Sequence, residues 1–365
     1  MAEICVLGGG NGSYAAAGDL TLKGHRVRLW RRDRDRLQEL RRAGNCLAVR
    51  DAQGVREAEI ADVTDDIGEA MRGADLILVP TPAFSQPDIA RLMAPHLADG
   101  QVVYLPPGTF GSFLMARIAR EQGSTADVAF AETGTLPWLA RKRGPREVAI
   151  SARAKRLPTG VFPERRAAHA LDVIRAAFPD AVEPAGDALS AALLNGGPTI
   201  HPPLIVMNAG PIQHFPHWDI HNEGTQPAIR RVTDALDEER VALRETLGYG
   251  APHFRLRDHY ATEGEEWMYG RRSHDSLVKS GDWREPLDLA RHRYMREDVA
   301  LGLSLLVSAA EWAGVPCPLA RAFLSIGGAI CGEDFRQTGR TFESLGLSDY
   351  DRAGLKQLLA QGFPE

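Results

Sequence analysis

The segment Gly8-Gly9-Gly10-Asn11-Gly12 constrains this chain more than any other. It follows the apolar run Ile4-Cys5-Val6-Leu7 and precedes an Ala/Leu-rich stretch, residues 14–23, that reads as a helix ending at Gly24. Residues 26–30 then read as a second strand, so the turn joins a strand to a helix within one β-α-β unit. That context gives the glycines distinct roles. Gly8 allows the tight turn, and Gly10 lacks the Cβ that would block a pyrophosphate. The helix N-terminus aims N–H donors and its positive end at that anion. Asn11 and Gly12 complete the turn, and Ser13 holds the third glycine position. A small residue there still permits close helix–strand packing, and its hydroxyl could reach a phosphate. The expectation is an α/β chain opening with a Rossmann dinucleotide-binding domain.

The pattern continues with strands at 76–79 and 102–105, separated by a helix at 86–97. Pro80-Thr81-Pro82 and Pro106-Pro107-Gly108 follow these strands, at the carboxyl ends where open parallel sheets bind ligands. Pro80 is therefore a cofactor-side candidate. Residues 128–131 and 148–151 read as edge strands, and the Arg/Pro-rich stretch 153–166 as an exposed connection. Beyond about residue 187 alternation gives way to helical periodicity, as at 228–247 and 297–313. The polar, turn-rich stretch 264–282 reads as a mobile excursion. A chain of 365 residues exceeds one ordinary hydrophobic core. The predicted domains are 1–187, dinucleotide-binding, and 188–365, mostly α-helical and carrying the substrate and catalytic groups.

The second strand ends in Trp30-Arg31-Arg32, where an NAD-binding domain usually places an acid for the ribose hydroxyls. A guanidinium offers a fork of donors to a 2′-phosphate and can stack on adenine. Arg31 and Arg32 therefore predict NADP (NADPH) over NAD, the alternative being Asp33 serving a bare ribose.

Other function classes are disfavoured. A net charge of −5 provides no field for nucleic acid. No stretch nears the roughly 20 apolar residues of a membrane span. The opening Met1-Ala2-Glu3 has no basic leader region, and the four cysteines form no Cys-x-x-Cys pair. A cytoplasmic protein with small-molecule partners is expected. Apolar helical faces in the second half could pair two subunits as a homodimer or form the domain core.

In the second half, Asn195-Gly196-Gly197-Pro198-Thr199-Ile200-His201-Pro202-Pro203 is followed by Met207-Asn208-Ala209-Gly210 and Glu223-Gly224-Thr225-Gln226-Pro227. With the glycine turn, Ala131-Glu132-Thr133, Leu136-Pro137-Trp138, Asp237, Glu239-Arg240, Arg293-Tyr294 and Glu297-Asp298, these resemble the opine dehydrogenase family of the octopine and nopaline type. The resemblance spans nearly the whole chain. It implies a Rossmann domain joined to a helical domain of the 6-phosphogluconate dehydrogenase C-terminal type. It further implies reduction of the imine formed between an amino compound and a 2-oxo acid, with His201 as catalytic acid/base and Asp298 as its carboxylate partner. Where such sequences often have a tyrosine before the Glu-Gly pair, this chain has His221-Asn222.

The chemistry is consistent with those residue types. Hydride delivery to a C=O or C=N carbon builds electron density on O or N, which a positioned proton donor must meet. Histidine titrates in the right range, and a carboxylate holds its useful tautomer. On a regular helix Arg293 and Asp298, five residues apart, would point about 140° from one another. Arg293 is therefore expected to bind an anion of its own, either the cofactor pyrophosphate or a substrate carboxylate. Asn208, Thr225 and Glu132 are candidate substrate-side groups. His214, His217 and His221 crowd into one short segment, but Pro216 interrupts it and no zinc signature supports it, so no metal is expected. The residues also admit a ketopantoate-like or 2-hydroxyacid reductase that needs no amine, or a non-catalytic dinucleotide sensor.

Overall fold

The computed structural model describes residues 1–271, 273–281, 283–284 and 286–364, and the chain divides into two compact units. One comprises Met1–Ala192 with Lys356–Glu365, the other Leu193–Leu355. The division falls a few residues after the position read from the sequence, and the last residues of the chain belong with the first unit.

In the first unit, β1 (Glu3–Leu7), the helix Asn11–Leu22 and β2 (Arg26–Trp30) form the expected opening. Next come β3 (Cys46–Asp51), β4 (Gly54–Glu59), β5 (Asp62–Thr64), β6 (Leu76–Leu78) and β7 (Val102–Leu105). They are followed by β8 (Ala129–Thr133), β9 (Trp138–Gly144), β10 (Glu147–Arg153), β11 (Leu157–Phe162) and β12 (Val182–Asp187). The main sheet has the order β12-β11-β8-β7-β6-β1-β2-β5, with β1, β2, β5, β6, β7 and β8 running parallel. Its central strands β6 and β7 are fully buried because both faces are covered. Ile4, Val6, Leu29, Leu76, Leu78 and Val102 are all fully buried. Each such side chain contributes about 1.5–3 kcal/mol of burial free energy.

Two readings of this half need correction. The stretch 153–166 is not an exposed connection, because it contains the fully buried strand β11 between β8 and β12. Pro158 and Gly160 disguise it. Pro158 precedes the antiparallel pairing with β8, which begins at Thr159, so its missing N–H costs no bond there. Gly160 admits the carbonyl of Asp187, which a Cβ would meet at 2.1 Å. Consequently β8 is interior rather than an edge, and β10 belongs to a separate four-stranded sheet, β4-β3-β10-β9, that packs on the first helix.

The second unit is helical, as expected. Helix Gly197–Val206 packs against Tyr294–Leu303, a π-helix that continues as the α-helix Ser304–Ala313. Gly302 makes that approach possible, since a Cβ there would lie 2.3 Å from Pro198 Cγ. Asp237 and Arg240, on helix Pro227–Thr246, form a buried pair at 2.7 Å. Arg240 also donates to the carbonyls of Leu193 at 2.7 Å and His253 at 2.9 Å, while Asp237 accepts from Leu256 N–H. Glu239 accepts from the N–H groups of Leu319 and Ala320, at the start of helix Pro318–Cys331. This acidic–basic motif is architectural. The polar stretch from residue 264 contains the buried Trp267 and Met268 and a helix, Ser273–Ser280, so it is not a bare excursion; Asp282 lies outside the described residues. Among the described residues no helix is long and apolar enough to cross a membrane.

Candidate active site

In the first unit, Gly8 has φ +116°, a conformation open to glycine, and a Cβ there would strike Thr81 Cγ2 at 2.7 Å and Ser13 Oγ at 2.8 Å. At Gly10 the corresponding position meets nothing within 4 Å. An open approach therefore lies at the start of helix Asn11–Leu22, whose first turn carries no acidic residue to neutralise its positive end. The turn after β6 closes the other side, with Pro80 at 3.1 Å from where a Gly12 Cβ would stand. The Thr81 hydroxyl oxygen is buried there with no partner among the described residues. An unobstructed glycine, unopposed helix N–H groups and this orphaned hydroxyl fit a dinucleotide pyrophosphate. Ser13 is buried, donates to the Leu7 carbonyl at 3.4 Å and packs the helix against the strand.

Arg31 is 6% exposed, with Nη1 donating to the Tyr14 hydroxyl and Nη2 3.5 Å from Asp33 Oδ2. Arg32 is exposed and lies over Trp30, 5.9 Å from the ring centroid. Asp33 is engaged as the N-cap of helix Arg34–Arg42, accepting from Arg36 N–H at 3.1 Å.

In the second unit, His201 projects from helix Gly197–Val206 and its Nδ1 lies 2.7 Å from Asp298 Oδ2 on the π-helix. Tyr294 stacks on the imidazole, with centroids 3.8 Å apart and planes 19° off parallel. Gly197 leaves room for the carboxylate, since a Cβ would stand 2.3 Å from Asp298 Oδ1. Burial pushes the Asp298 carboxyl up to about 7, while the positive charges of Arg293 and His292 act in the opposite direction.

The π-helix corrects the predicted placement of Arg293. Bonding from i to i+5 winds the helix more widely, so residues five apart lie closer to one face than on a regular helix. Arg293 caps that helix, and its charge acts on both Glu297 and Asp298. It is exposed and, among the described residues, has no ion pair, its ring contact being Tyr294 at 5.2 Å.

The substrate-side candidates fare differently. Glu132 is fully buried in the first unit and accepts from Phe110 N–H at 2.8 Å, Ser112 N–H at 2.9 Å and the Ser112 hydroxyl. It clamps the start of helix Gly111–Glu121. Asn208 is buried, donating to the carbonyls of Leu204 and Gly224 and accepting from Trp218 Nε1 at 3.1 Å. Its amide thus fastens the segment that follows. The Thr225 hydroxyl donates to the Ile220 carbonyl at 2.8 Å. All three hold hydrogen bonds within the protein, as the same polar groups do in caps and ties. His214 and His217 are exposed, whereas His221 is buried, edge-on to His201 at 6.0 Å and to Trp283 at 5.4 Å. Tyr294 and Gly197 had no separate signal in the sequence beyond lying within the matched motifs, whereas His221 stood out in the histidine cluster.

Known proteins resemble this chain in sequence and in fold. Residues 184–331 match the family model of the NAD/NADP octopine/nopaline dehydrogenase alpha-helical domain, and residues 4–106 match that of ketopantoate reductase PanE/ApbA. The opine dehydrogenase of Arthrobacter sp. (strain 1C) is 31% identical over 96% of this chain and 97% of its own length. The vitopine synthase of Allorhizobium ampelinum is 26% identical over 95% and 96%. In fold, octopine dehydrogenase solved with NADH and L-arginine superposes with a TM-score of 0.72 at 18% identity, covering 100% of this chain and 99% of that one. Yersinopine dehydrogenase with NADP+ bound gives 0.69 at 16% identity over 99% and 98%. The chain is therefore an NAD(P)-dependent oxidoreductase acting on CH–NH donors, built as a Rossmann domain plus a helical domain. It belongs to the opine dehydrogenase family, whose reaction is the reductive condensation of an amino compound with a keto acid.

Proposed function

We propose that the protein is an NADP-dependent opine dehydrogenase in which His201, oriented by Asp298, protonates the nitrogen of an imine formed from an amino acid or amine and a 2-oxo acid. The observation that carries this reading is the 2.7 Å contact between His201 Nδ1 and Asp298 Oδ2, made beneath the stacked ring of Tyr294. With Nδ1 engaged, Nε2 is the atom through which a proton reaches the reactants. The same imidazole assists loss of water as the imine forms, because a protonated hydroxyl is the better leaving group. Arg293, exposed and without an ion pair among the described residues, is suited to the carboxylate of the 2-oxo acid. Gly8, Gly10 and the first amides of helix Asn11–Leu22, with Pro80 and Thr81 alongside, would hold the dinucleotide, which supplies the hydride. NADP is favoured because Arg31 and Arg32 stand at the end of β2 while Asp33 is committed to a helix cap. Octopine dehydrogenase solved with L-arginine, agmatine or pyruvate supports the substrate classes.

A matrix of amino acids against pyruvate, glyoxylate and 2-oxoglutarate, read by NADPH consumption, tests this. Oxidation requiring both partners is expected. The match of residues 4–106 to ketopantoate reductase favours a second reading, reduction of a C=O without an amine. Turnover with a 2-oxo acid alone would establish it.

A further inference from the structure

The glycine turn has a second cation beside it that no sequence motif marks. Lys142 lies on β9, in the small sheet, and three contacts fasten it to the turn. Its backbone N–H donates to Asn11 Oδ1 at 3.0 Å, its Nζ donates to the Gly9 carbonyl at 3.2 Å, and Nζ lies 3.9 Å from the Tyr14 ring centroid. Arg31 reaches the same ring from the end of β2, with its guanidinium carbon 5.5 Å from the centroid. Gly9 lies directly against that guanidinium, and a Cβ there would meet its carbon at 2.9 Å. The Arg31 Nε is buried and has no hydrogen-bond partner among the described residues. Two cations therefore share one aromatic ring beside one peptide group. Lys142 has no salt bridge among the described residues, and the one to Arg31 is the 3.5 Å contact with the capping Asp33.

Such an arrangement is electrostatically costly until an anion joins it. Burial, followed by the charges of Arg31 and Arg36, pushes Lys142 down to about 8, against smaller opposing effects of Asp33 and Glu39. A dianion relieves the repulsion more than a monoanion does, and the end of β2 is where a Rossmann domain meets the adenosine ribose. The geometry points to Lys142 and Arg31 as the two arms of a cradle for the ribose 2′-phosphate of NADP, with Lys142 delivered by β9 rather than by the β2 loop. This rests on the NADP reading above and names the group that sets the selectivity. The pyrophosphate, common to both dinucleotides, would be held at Gly10 and the helix start. Lys142 thus acts on the difference between NADP and NAD. The groups facing it are Arg31, Arg36, Asp33, Glu39 and Tyr14. A lysine is charged below its pKa and neutral above it, so selectivity for NADPH should decline as pH rises beyond about 8.

Dissociation constants of NADPH and NADH for the full-length protein, Lys142→Met and Lys142→Arg, from fluorescence titration at about pH 7 and about pH 10, provide the test. The NADH-to-NADPH Kd ratio should fall about tenfold in Lys142→Met at the lower pH, the loss of one charge-assisted contact. Lys142→Arg should keep its ratio at the higher pH, where the wild type loses it. An unchanged ratio in Lys142→Met, or equal weakening of both dinucleotides, overturns the assignment while leaving wild-type NADPH preference intact. A wild type without that preference overturns the NADP reading itself, and this cradle with it.

Discussion

His201 Nδ1 and Asp298 Oδ2 stand 2.7 Å apart although 97 residues separate them in sequence. The imidazole is held in plane by Tyr294 as well as by the carboxylate, so its proton has a defined direction of transfer. His201→Asn keeps a polar group of similar size but cannot donate a proton of suitable pKa. We expect kcat to fall about 10²–10⁴-fold, the usual weight of general acid–base catalysis. Dinucleotide affinity, measured by fluorescence titration, should stay near wild type. A well-folded variant with nearly normal turnover would remove His201 from the mechanism.

The raised Asp298 carboxyl makes a prediction for pH dependence. Burial favours the uncharged acid, so the pair takes up a proton as pH falls through about 7 and releases it as pH rises. Imine reduction consumes that proton and should slow above this range, whereas opine oxidation needs a proton acceptor and should slow below it. The apparent value belongs to the pair rather than to either residue. Asp298→Asn should remove or displace this limb in kcat/KM profiles of both directions. Identical profiles for variant and wild type would show that another group sets them.

Gly197 tests the fit between the two helices that carry the dyad. An alanine Cβ would fall 2.3 Å from Asp298 Oδ1 and 3.1 Å from Asn195 Oδ1, and the carboxylate must shift to admit it. Gly197→Ala should therefore lower kcat by about tenfold or more, since small displacements of catalytic groups are costly. The measurement is kcat alongside NADPH affinity, which should not change. Loss of both together would indicate a folding defect instead.

Glu132 tests a reassignment. Its buried carboxylate receives donors from Phe110 and Ser112, and Gln at this position would present an N–H to one of them. Glu132→Gln should cost about 1–3 kcal/mol of stability, seen in denaturant unfolding. KM values for the amine and the oxo acid should stay within about twofold. A large KM change in a stable variant would restore Glu132 as a substrate ligand.

Legibility of the chain follows the range of the interactions involved. The unit from β1 to β2 was readable because apolar alternation, the glycines and helix periodicity are all local. β11 was not readable, because Pro158 and Gly160 are breakers in isolation and become tolerable only through what β8, β12 and Asp187 do around them. His201 and Asp298 could be paired only through the family resemblance. At Glu132, Asn208 and Ser13 residue type alone could not show that each polar group also has partners within the protein. The π-helix was equally hidden, since nothing in Tyr294–Leu303 distinguishes a wider winding from an ordinary amphipathic turn.

That wider winding gives Arg293 its testable role. Bonding from i to i+5 brings Arg293 toward the side of the helix that bears Asp298, and its charge lowers the proton affinity of that carboxyl. Arg293→Met should then have two effects that a merely structural arginine would not combine. The KM for the 2-oxo acid should rise about 10–100-fold through loss of a charge-assisted carboxylate contact. The pH limb of kcat/KM should move upward, because the remaining burial is less strongly opposed. Lysine at this position should restore the pH limb more fully than the KM, having the charge without the forked geometry. A normal KM with an unmoved limb would place the substrate carboxylate elsewhere.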